Sequence, residues 1–140
     1  SGLGKLKEMI AAQGGDPSVC DNPSLLPKAP GIYPVLAKES GYLSATDGVA
    51  LGLAAQKMGA GRMKKDDVID PAVGFILHER IGDCVNPGDV LCTLHAKDEE
   101  SARETEKRIL DALTFSKTPV SPARLIYALV TEKGVDDISL

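Results

Sequence analysis

Two short apolar segments constrain the fold of this 140-residue chain more than any other feature. In residues 73–77, and again in residues 90–94, apolar side chains occupy both alternating sets of positions instead of every second position. This pattern is typical of strands that are covered on both faces. The Asn-Pro-Gly-Asp sequence of residues 86–89 lies between them and is a signal for a type I or type II turn. The sequence therefore predicts two neighbouring strands with packing partners on each side.

Capping residues and apolar periodicity predict three helices around these strands. The Gly-Gly pair at residues 14–15 is well suited to end the first helix, and Gly59 to end the second. Either Thr46 or Asp47 can cap the start of the second helix, and Asp98 can cap the start of the third. The predicted helices span residues 3–13, 46–58 and 98–115.

The second predicted helix is rich in glycine and alanine. Its apolar residues Val49 and Leu53 are four positions apart, so they share one face of the helix. Because the other residues along this helix are small, we expect it to pack very closely on a sheet or on another helix.

Two further strands are predicted between the first and second helices. Residues 32–38 and 42–45 read as strands that pair with each other across Gly41. Pro34 has no backbone N–H group, so the first of them belongs at the edge of a sheet or at a bulge. Helices packed on a mixed, mostly antiparallel sheet make α+β the expected fold class.

A single domain covering residues 1–140 is expected, with residues 1–30 as its entering helix and connector. Because Ser1 is not a methionine and a helical pattern is already under way at Leu3, we expect the chain to begin partway through a longer protein. The apolar run at residues 125–130 fits either a strand or a helix, and residues from Gly134 onward are expected to be frayed.

Composition excludes several classes of function. A net charge of −4 argues against a nucleic-acid partner, because binding to the phosphate backbone requires a dominant basic face. No apolar run approaches the roughly 18 residues of a membrane-spanning helix, and no signal-peptide pattern is present. The three cysteines are odd in number and show no Cys-x-x-Cys spacing, which favours reduced thiols. We therefore expect a soluble, cytoplasmic chain without membrane partners.

A small basic cluster follows the second helix. Arg62, Lys64 and Lys65 come directly after two glycines and are followed by acidic residues at positions 66, 67 and 70. The simplest interpretation is a solvated loop whose charges neutralise one another. The Gly-Ala-Gly-Arg sequence of residues 59–62 is a weak candidate for a phosphate cradle, because it ends a helix, whereas anion sites use the start of one.

Four potential zinc ligands fall within a short stretch of sequence: His78, Cys84, Cys92 and His95. Their spacing matches no zinc finger or ribbon. Alternation along paired strands would also send some of these side chains to opposite faces. We therefore expect ordinary packing and no metal site.

Short sequence blocks follow one another in a fixed order along the chain. They include Ile-Ala-Ala-Gln-Gly-Gly-Asp at residues 10–16, Gly-Ala-Gly-Arg at 59–62 and Asp-Val-Ile-Asp at 67–70. The remaining blocks lie at residues 26–29, 41–42, 51–52, 73–74 and 82–89. Each block alone is common, but from about residue 5 to about residue 116 their order and spacing resemble those of the thymidine and pyrimidine-nucleoside phosphorylase family.

The resemblance implies an α/β-hammerhead domain that forms the last third of an enzyme subunit. Enzymes of this family cleave pyrimidine nucleosides with phosphate, giving the free base and a pentose 1-phosphate, and they form homodimers. The family's phosphate-binding loop and base-binding residues lie upstream of the similar segment. The resemblance therefore implies no catalytic residue and no cofactor or metal in this chain, which should be inert alone and partner the rest of its subunit.

Within such a subunit the basic cluster has a second interpretation. The loop carrying Arg62, Lys64 and Lys65 could fold toward the active-site cleft and help to close it over substrate, with the glycines at its base permitting the movement. Residues 13–16 offer a similar choice, because their glycines are explained by helix termination but could also dock the domain against the rest of the subunit.

A competing interpretation is a non-enzymatic hammerhead or a carrier domain. Residues 82–91 resemble the hairpin of biotinyl and lipoyl carriers, which present a modified lysine on a separate tight turn. The nearest equivalent here is Met63-Lys64, but Lys65 follows it in a charged loop upstream of the hairpin.

Overall fold

A computed structural model describes residues 1–122 and 124–137. It confirms the α+β class, since three helices accompany strands that all pair antiparallel. The helices are α1 (Gly2–Ala12), α2 (Gly48–Ala55) and α3 (Glu99–Ala112). The strands are β1 (Gly31–Leu36), β2 (Gly41–Thr46), β3 (Gly74–Leu77), β4 (Cys84–Val85), β5 (Val90–Ala96), β6 (Leu113–Ser116), β7 (Ala128–Thr131) and β8 (Gly134–Asp137).

The first sheet has the strand order β1-β5-β3 and contains both segments that dominate the sequence pattern. The predicted pairing of β3 with β5 is confirmed, with Leu77 opposite Cys92. The turn before β5 is confirmed as well, because Gly88 has a φ of +94° and the N–H of Asp89 donates to the carbonyl of Asn86 at 3.0 Å. Among the described strands β1 pairs with β5 alone, so Pro34 lies on an edge strand as predicted.

The second sheet has the order β4-β2-β6, and the first six strands alternate between the two sheets along the chain. The predicted pairing of β1 with β2 is therefore wrong. The backbone of Ala37 instead exchanges hydrogen bonds with the turn before β5, to Asp89 at 2.8 Å and from Gly88 at 2.9 Å. These bonds hold the end of β1 against the first sheet while the chain crosses to the second.

Helix α3 is shorter than predicted, because Leu113–Ser116 forms strand β6 and does not extend the helix. Leu113 pairs with Thr46 on β2, and the carbonyl of Ala112 accepts the N–H of Asp47 at 2.9 Å. Pairing with β2 thus decides the conformation of a segment whose residues also suit a helix. Both predicted caps are confirmed, since Asp47 accepts from Ala50 N–H and Asp98 from Ser101 N–H.

The core forms where α3 packs on the first sheet and α2 packs against α3, and Leu43 and Val85 of the second sheet contribute to it. Its fully buried side chains include Val35, Leu43, Leu94 and Ile109. Helix α2 turns Leu51 and Ala54 inward, whereas Val49 and Leu53 are 75% and 49% exposed. The predicted close packing of α2 is correct, but the predicted apolar face is wrong.

The prediction that the first sheet is covered on both faces is also wrong for this chain. Helix α3 packs against β5 and β1 and buries Cys92, Leu94 and Ala96, which share one face. On the opposite face Ile32 is 65% exposed and Ile76 is 54% exposed. The described residues supply one layer of helices, so only one face of the sheet is buried.

The two ends of the chain lie outside this core. Helix α1 contacts the 3-10 turn Pro17–Cys20 and has no buried residue. At the other end β7 and β8 form a hairpin with each other, which resolves the choice between strand and helix for residues 128–130. The predicted fraying is wrong for Gly134–Asp137, and residues 138–140 lie outside the described part of the chain. Among the described residues, no helix is both long and apolar enough to cross a membrane.

Candidate functional site

The loop that carries Arg62, Lys64 and Lys65, which we call the basic loop, follows α2. A π-helical turn, Gln56–Ala60, follows α2, and Gly59 within it has a φ of +112°, a conformation that residues with a side chain rarely adopt. The N–H of Asp70 donates to the carbonyl of Gly59 at 3.0 Å and closes the neck of the loop. Gly59 therefore ends the helix as predicted, and the loop leaves from a helix C-terminus, which offers no anion-binding N–H groups.

Asp67 organises the interior of the loop. One carboxylate oxygen, Oδ2, accepts the backbone N–H groups of Met63 at 2.9 Å and Lys64 at 2.8 Å. The N–H of Asp67 in turn donates to the carbonyl of Lys64 at 3.2 Å. The side chain of Gln56 donates to the carbonyl of Arg62 from the other side. The loop is thus held by its own backbone contacts and is not an unstructured tether.

The three cations of the loop have a different environment from its acids. Arg62, Lys64 and Lys65 are all exposed, and none takes part in an ion pair within the part of the chain that the structure describes. Asp67 and Asp70 use their carboxylates on backbone N–H groups. The predicted mutual neutralisation is therefore not achieved through direct pairs, and the three cationic groups face solvent.

Sequence reasoning identified the cations but missed the part that Asp67 plays. Asp67 lies four residues after Met63 and three after Lys64, and a carboxylate that binds nearby backbone N–H groups is a common feature of turns. That spacing is visible in the sequence. The charges of residues 66, 67 and 70 were grouped together, although only Asp67 reaches back to the lysine segment.

The four potential zinc ligands do not converge. Cys84 is on β4 of the second sheet, whereas Cys92 and His95 are on β5 of the first, on opposite faces of that strand. A ring nitrogen of His78, Nε2, lies 2.7 Å from the hydroxyl of Thr93. No group of three or more His, Cys, Asp or Glu residues within residues 1–122 and 124–137 is arranged to hold a metal.

The environment of Cys92 also disfavours metal binding. Its side chain is fully buried, and burial raises the pKa of the thiol to about 11. Zinc binds the thiolate form of cysteine, and the buried environment of Cys92 disfavours that form.

The segment between β3 and β5, which contains β4, carries a second group of acids. Asp83 accepts the N–H of Arg80 before β4, and Asp89 accepts the N–H of Asn86 after it, each at 2.7 Å. Partial burial, followed by the charges of Asp83 and Asp89, raises the pKa of Glu79 above its usual range. Asp83 and Asp89 thus stabilise two turns, and neither is hydrogen-bonded to the basic loop in the described structure.

The carrier interpretation requires a lysine at the tip of a tight turn between strands. Lys64 instead lies in the Asp67-organised loop between the end of α2 and β3, before the hairpin that resembles the carriers. The position of this lysine does not match that of a carrier.

We expect the stability of the domain to fall in alkaline solution because of Cys92. Above roughly pH 8.5 the unfolded thiol loses its proton while the buried one keeps it up to about pH 11. The free energy of unfolding should therefore decrease by about 1.4 kcal/mol per pH unit across that window. Urea titrations of the wild type and of Cys92→Ala from pH 8 to pH 10.5 measure it, and equal slopes in the two proteins would contradict the expectation.

We also expect Asp67 to determine the order of the loop. Asp67→Ala removes the shared acceptor of two backbone N–H groups, so amide exchange at Met63 and Lys64 should accelerate about tenfold. Asp66→Ala is the matched control, because it removes the same charge from the same loop but no hydrogen bond found in the described structure. NMR exchange measurements that gave the same rates in both variants would refute the assignment.

Comparison with known protein sequences identifies the family of this chain. The sequence model described as "Pyrimidine nucleoside phosphorylase C-terminal domain" matches residues 42–116, which include β2 to β6 and the basic loop. The pyrimidine-nucleoside phosphorylase of Geobacillus stearothermophilus is 42% identical over 127 residues, or 91% of this chain and 29% of that protein. That of Bacillus subtilis is 40% identical over 130 residues, 93% of this chain and 30% of that protein.

The pyrimidine-nucleoside phosphorylase of Staphylococcus aureus, strain USA300, is 38% identical over 130 residues. The chain spans less than one third of the length of each of these relatives. The family resemblance predicted from the short sequence blocks is confirmed, since the match covers more than half of the chain. The chain belongs to the pyrimidine nucleoside phosphorylase C-terminal domain family.

Proposed function

We propose that the complete protein containing this domain cleaves pyrimidine nucleosides with inorganic phosphate, releasing the free base and a pentose 1-phosphate. The names of the relatives and the family match support this activity. Phosphate is the co-substrate and no further cofactor is needed, while uridine and thymidine are the proposed nucleosides. We place the complete enzyme in the cytoplasm, as a homodimer.

The catalytic residues belong to the rest of the subunit. Displacement at the anomeric carbon passes through an oxocarbenium-like state, which requires a held phosphate, donors for the departing base and shelter from water. The exposed loop of residues 61–66 offers charge but leaves from a helix C-terminus, so it is poorly suited to hold phosphate by backbone N–H groups. The domain's contribution is therefore structural, and the 140-residue chain alone is inactive.

The basic loop contributes to closure of the active-site cleft. One observation carries this part of the proposal, namely that Arg62, Lys64 and Lys65 are exposed and unpaired in the described structure while Asp67 holds the backbone beneath them. Phosphate and pentose 1-phosphate are anions, so three free cations at the rim of a cleft would favour their retention. Gly59 and Gly61 at the base of the loop suit a movement toward the cleft.

The activity is tested by assaying phosphorolysis of uridine and thymidine with the complete subunit and with the 140-residue chain. We expect turnover by the complete subunit and none by the 140-residue chain, because the groups that hold phosphate and base are assigned to the other part. Turnover by the shorter chain would overturn that assignment, and no turnover by the complete subunit would overturn the proposed reaction.

The role of the loop is tested by Arg62→Ala combined with Lys64→Ala in the complete enzyme. Loss of two cations near anionic substrates should lower kcat/KM for phosphate about tenfold, equivalent to roughly 1.4 kcal/mol. Lys107→Ala combined with Lys133→Ala removes the same charge at two other exposed positions and serves as the control. Steady-state kinetics that are equal in the two double variants would exclude the loop from closure.

A further inference from the structure

The uncovered face of the first sheet is unusually apolar. In the strand register, Ile32 lies opposite His95, and Pro34 and Ile76 lie on either side of Thr93. Beyond the bulge in this pairing, where β5 has the extra residue Leu91, Leu36 pairs with Val90 on the same face. We call this surface the outer face, and its members are Ile32, Pro34, Leu36, Ile76, Val90, Thr93 and His95.

Its apolar members are substantially exposed. Ile32 and Ile76 are 65% and 54% exposed, and Leu36 and Val90 are 42% and 38% exposed. On the opposite face of the same strands Val35, Cys92 and Leu94 are at most 1% exposed. On that opposite face Leu77, at the end of β3, is 37% exposed. The apolar exposure is therefore concentrated on one face of the sheet, with Leu77 as an exception at its β3 edge.

The composition of the outer face is not that of a surface in water. An antiparallel sheet with one solvated face usually places polar residues on that face. None of the seven members of the outer face is Lys, Arg, Asp or Glu. Edge strands that stay exposed are normally protected by charged residues, and β1 and β3 are both edge strands of this sheet. The residues thus match a buried face although nothing in the described structure buries it.

We propose that the outer face is the docking surface for the part of the phosphorylase subunit that lies outside these 140 residues. This inference rests on the proposed membership of the chain in such a subunit. The match to the Geobacillus relative covers 127 of the 140 residues, so it includes residues 14–127 wherever it begins. All three strands of the first sheet, β1, β3 and β5, therefore lie within the shared segment. That segment is 29% of the relative, whose remaining length is available to cover the sheet.

Covalent attachment favours this occupant over a second copy of the chain. A segment in the same polypeptide meets the outer face at an effective concentration in the millimolar range, so a face of moderate area suffices for stable docking. Separate copies lack this advantage, and each carries a net charge of −4.

The side chains of the outer face indicate which kind of surface would pack against it. Four exposed aliphatic side chains surround a central polar pair, Thr93 with the ring of His78, and His95 lies two residues further along β5. The complementary surface is therefore aliphatic, with a hydrogen-bonding group opposite the polar centre. Strand β3 begins four residues after Asp70, the residue that closes the neck of the basic loop, so docking of β3 also sets the direction in which the loop leaves the domain.

The test compares two pairs of substitutions in the complete subunit. Ile32→Lys with Ile76→Lys places charges on the outer face, and Val49→Lys with Val68→Lys places them at positions that are 75% and 90% exposed elsewhere. We expect the first pair to lower the melting temperature of the complete subunit by roughly 5 °C or more, or to split its unfolding into two transitions. Hydrogen exchange in β1 and β3 should rise in the same variant.

In the 140-residue chain the first pair should leave the melting temperature unchanged, because both sites already face water there. This measurement separates lost docking from failure to fold. Ile32→Ala with Ile76→Ala, which only shortens the side chains, should shift the complete subunit in the same direction by less.

Equal shifts in the two lysine pairs, or no shift in either, would overturn the proposal. A concentration-dependent dimer of the 140-residue chain that the first pair abolishes, with the complete subunit unaffected, would assign the face to a second copy and also overturn it. All of these measurements report stability and association, so they stand or fall independently of whether the enzyme phosphorolyses nucleosides.

Discussion

The rest of this domain depends on strand β5. It is hydrogen-bonded on both sides, to β1 and to β3, and it contributes Cys92, Leu94 and Ala96 to the face on which α3 packs. Each of these side chains is almost completely buried, so the backbone pairing and the burial of apolar area reinforce one another at the same residues. Helix α2 packs mainly on α3.

Hydrogen bonds between residues close in sequence hold the basic loop, to which the proposed function assigns a role. Asp67 binds two N–H groups of the segment between Arg62 and Lys64, and the Gly59–Asp70 hydrogen bond closes the loop at its neck. These backbone hydrogen bonds also determine which charges of the loop are exposed. Asp67 and Asp70 bind backbone N–H groups and not the lysines, so the three cationic groups face solvent.

Local sequence signals predicted the elements of the fold well, but not their partners. Caps at Asp47 and Asp98 and the turn at residues 86–89 act within a few residues, and all three were predictable. Pairing of β6 with β2 joins residues about 70 positions apart, and no local preference distinguishes it from one more turn of α3. The same limit explains why β1 was paired with β2 from proximity alone.

The candidate site was predictable in composition but not in arrangement. Arg62 and Lys64 stand out because they follow glycines at a helix end, whereas the choice of Asp67 over Asp66 as backbone acceptor depends on loop geometry. For the outer face, the sequence pattern and the described structure disagree, since β3 has the composition of a doubly covered strand but is covered once. That disagreement is the basis of our proposal that the outer face is an interface.

The alternation of the first six strands between two sheets determines how this domain can assemble. Neither sheet is encoded by a contiguous piece of the chain, because β1, β3 and β5 are interleaved with β2, β4 and β6. During synthesis, the second sheet stays incomplete until Ser116 has emerged from the ribosome, by which point every strand of the first sheet has already been made. Such interleaving raises the sequence separation of contacts, which slows folding, and any cut of the chain between β2 and β5 separates strands of both sheets.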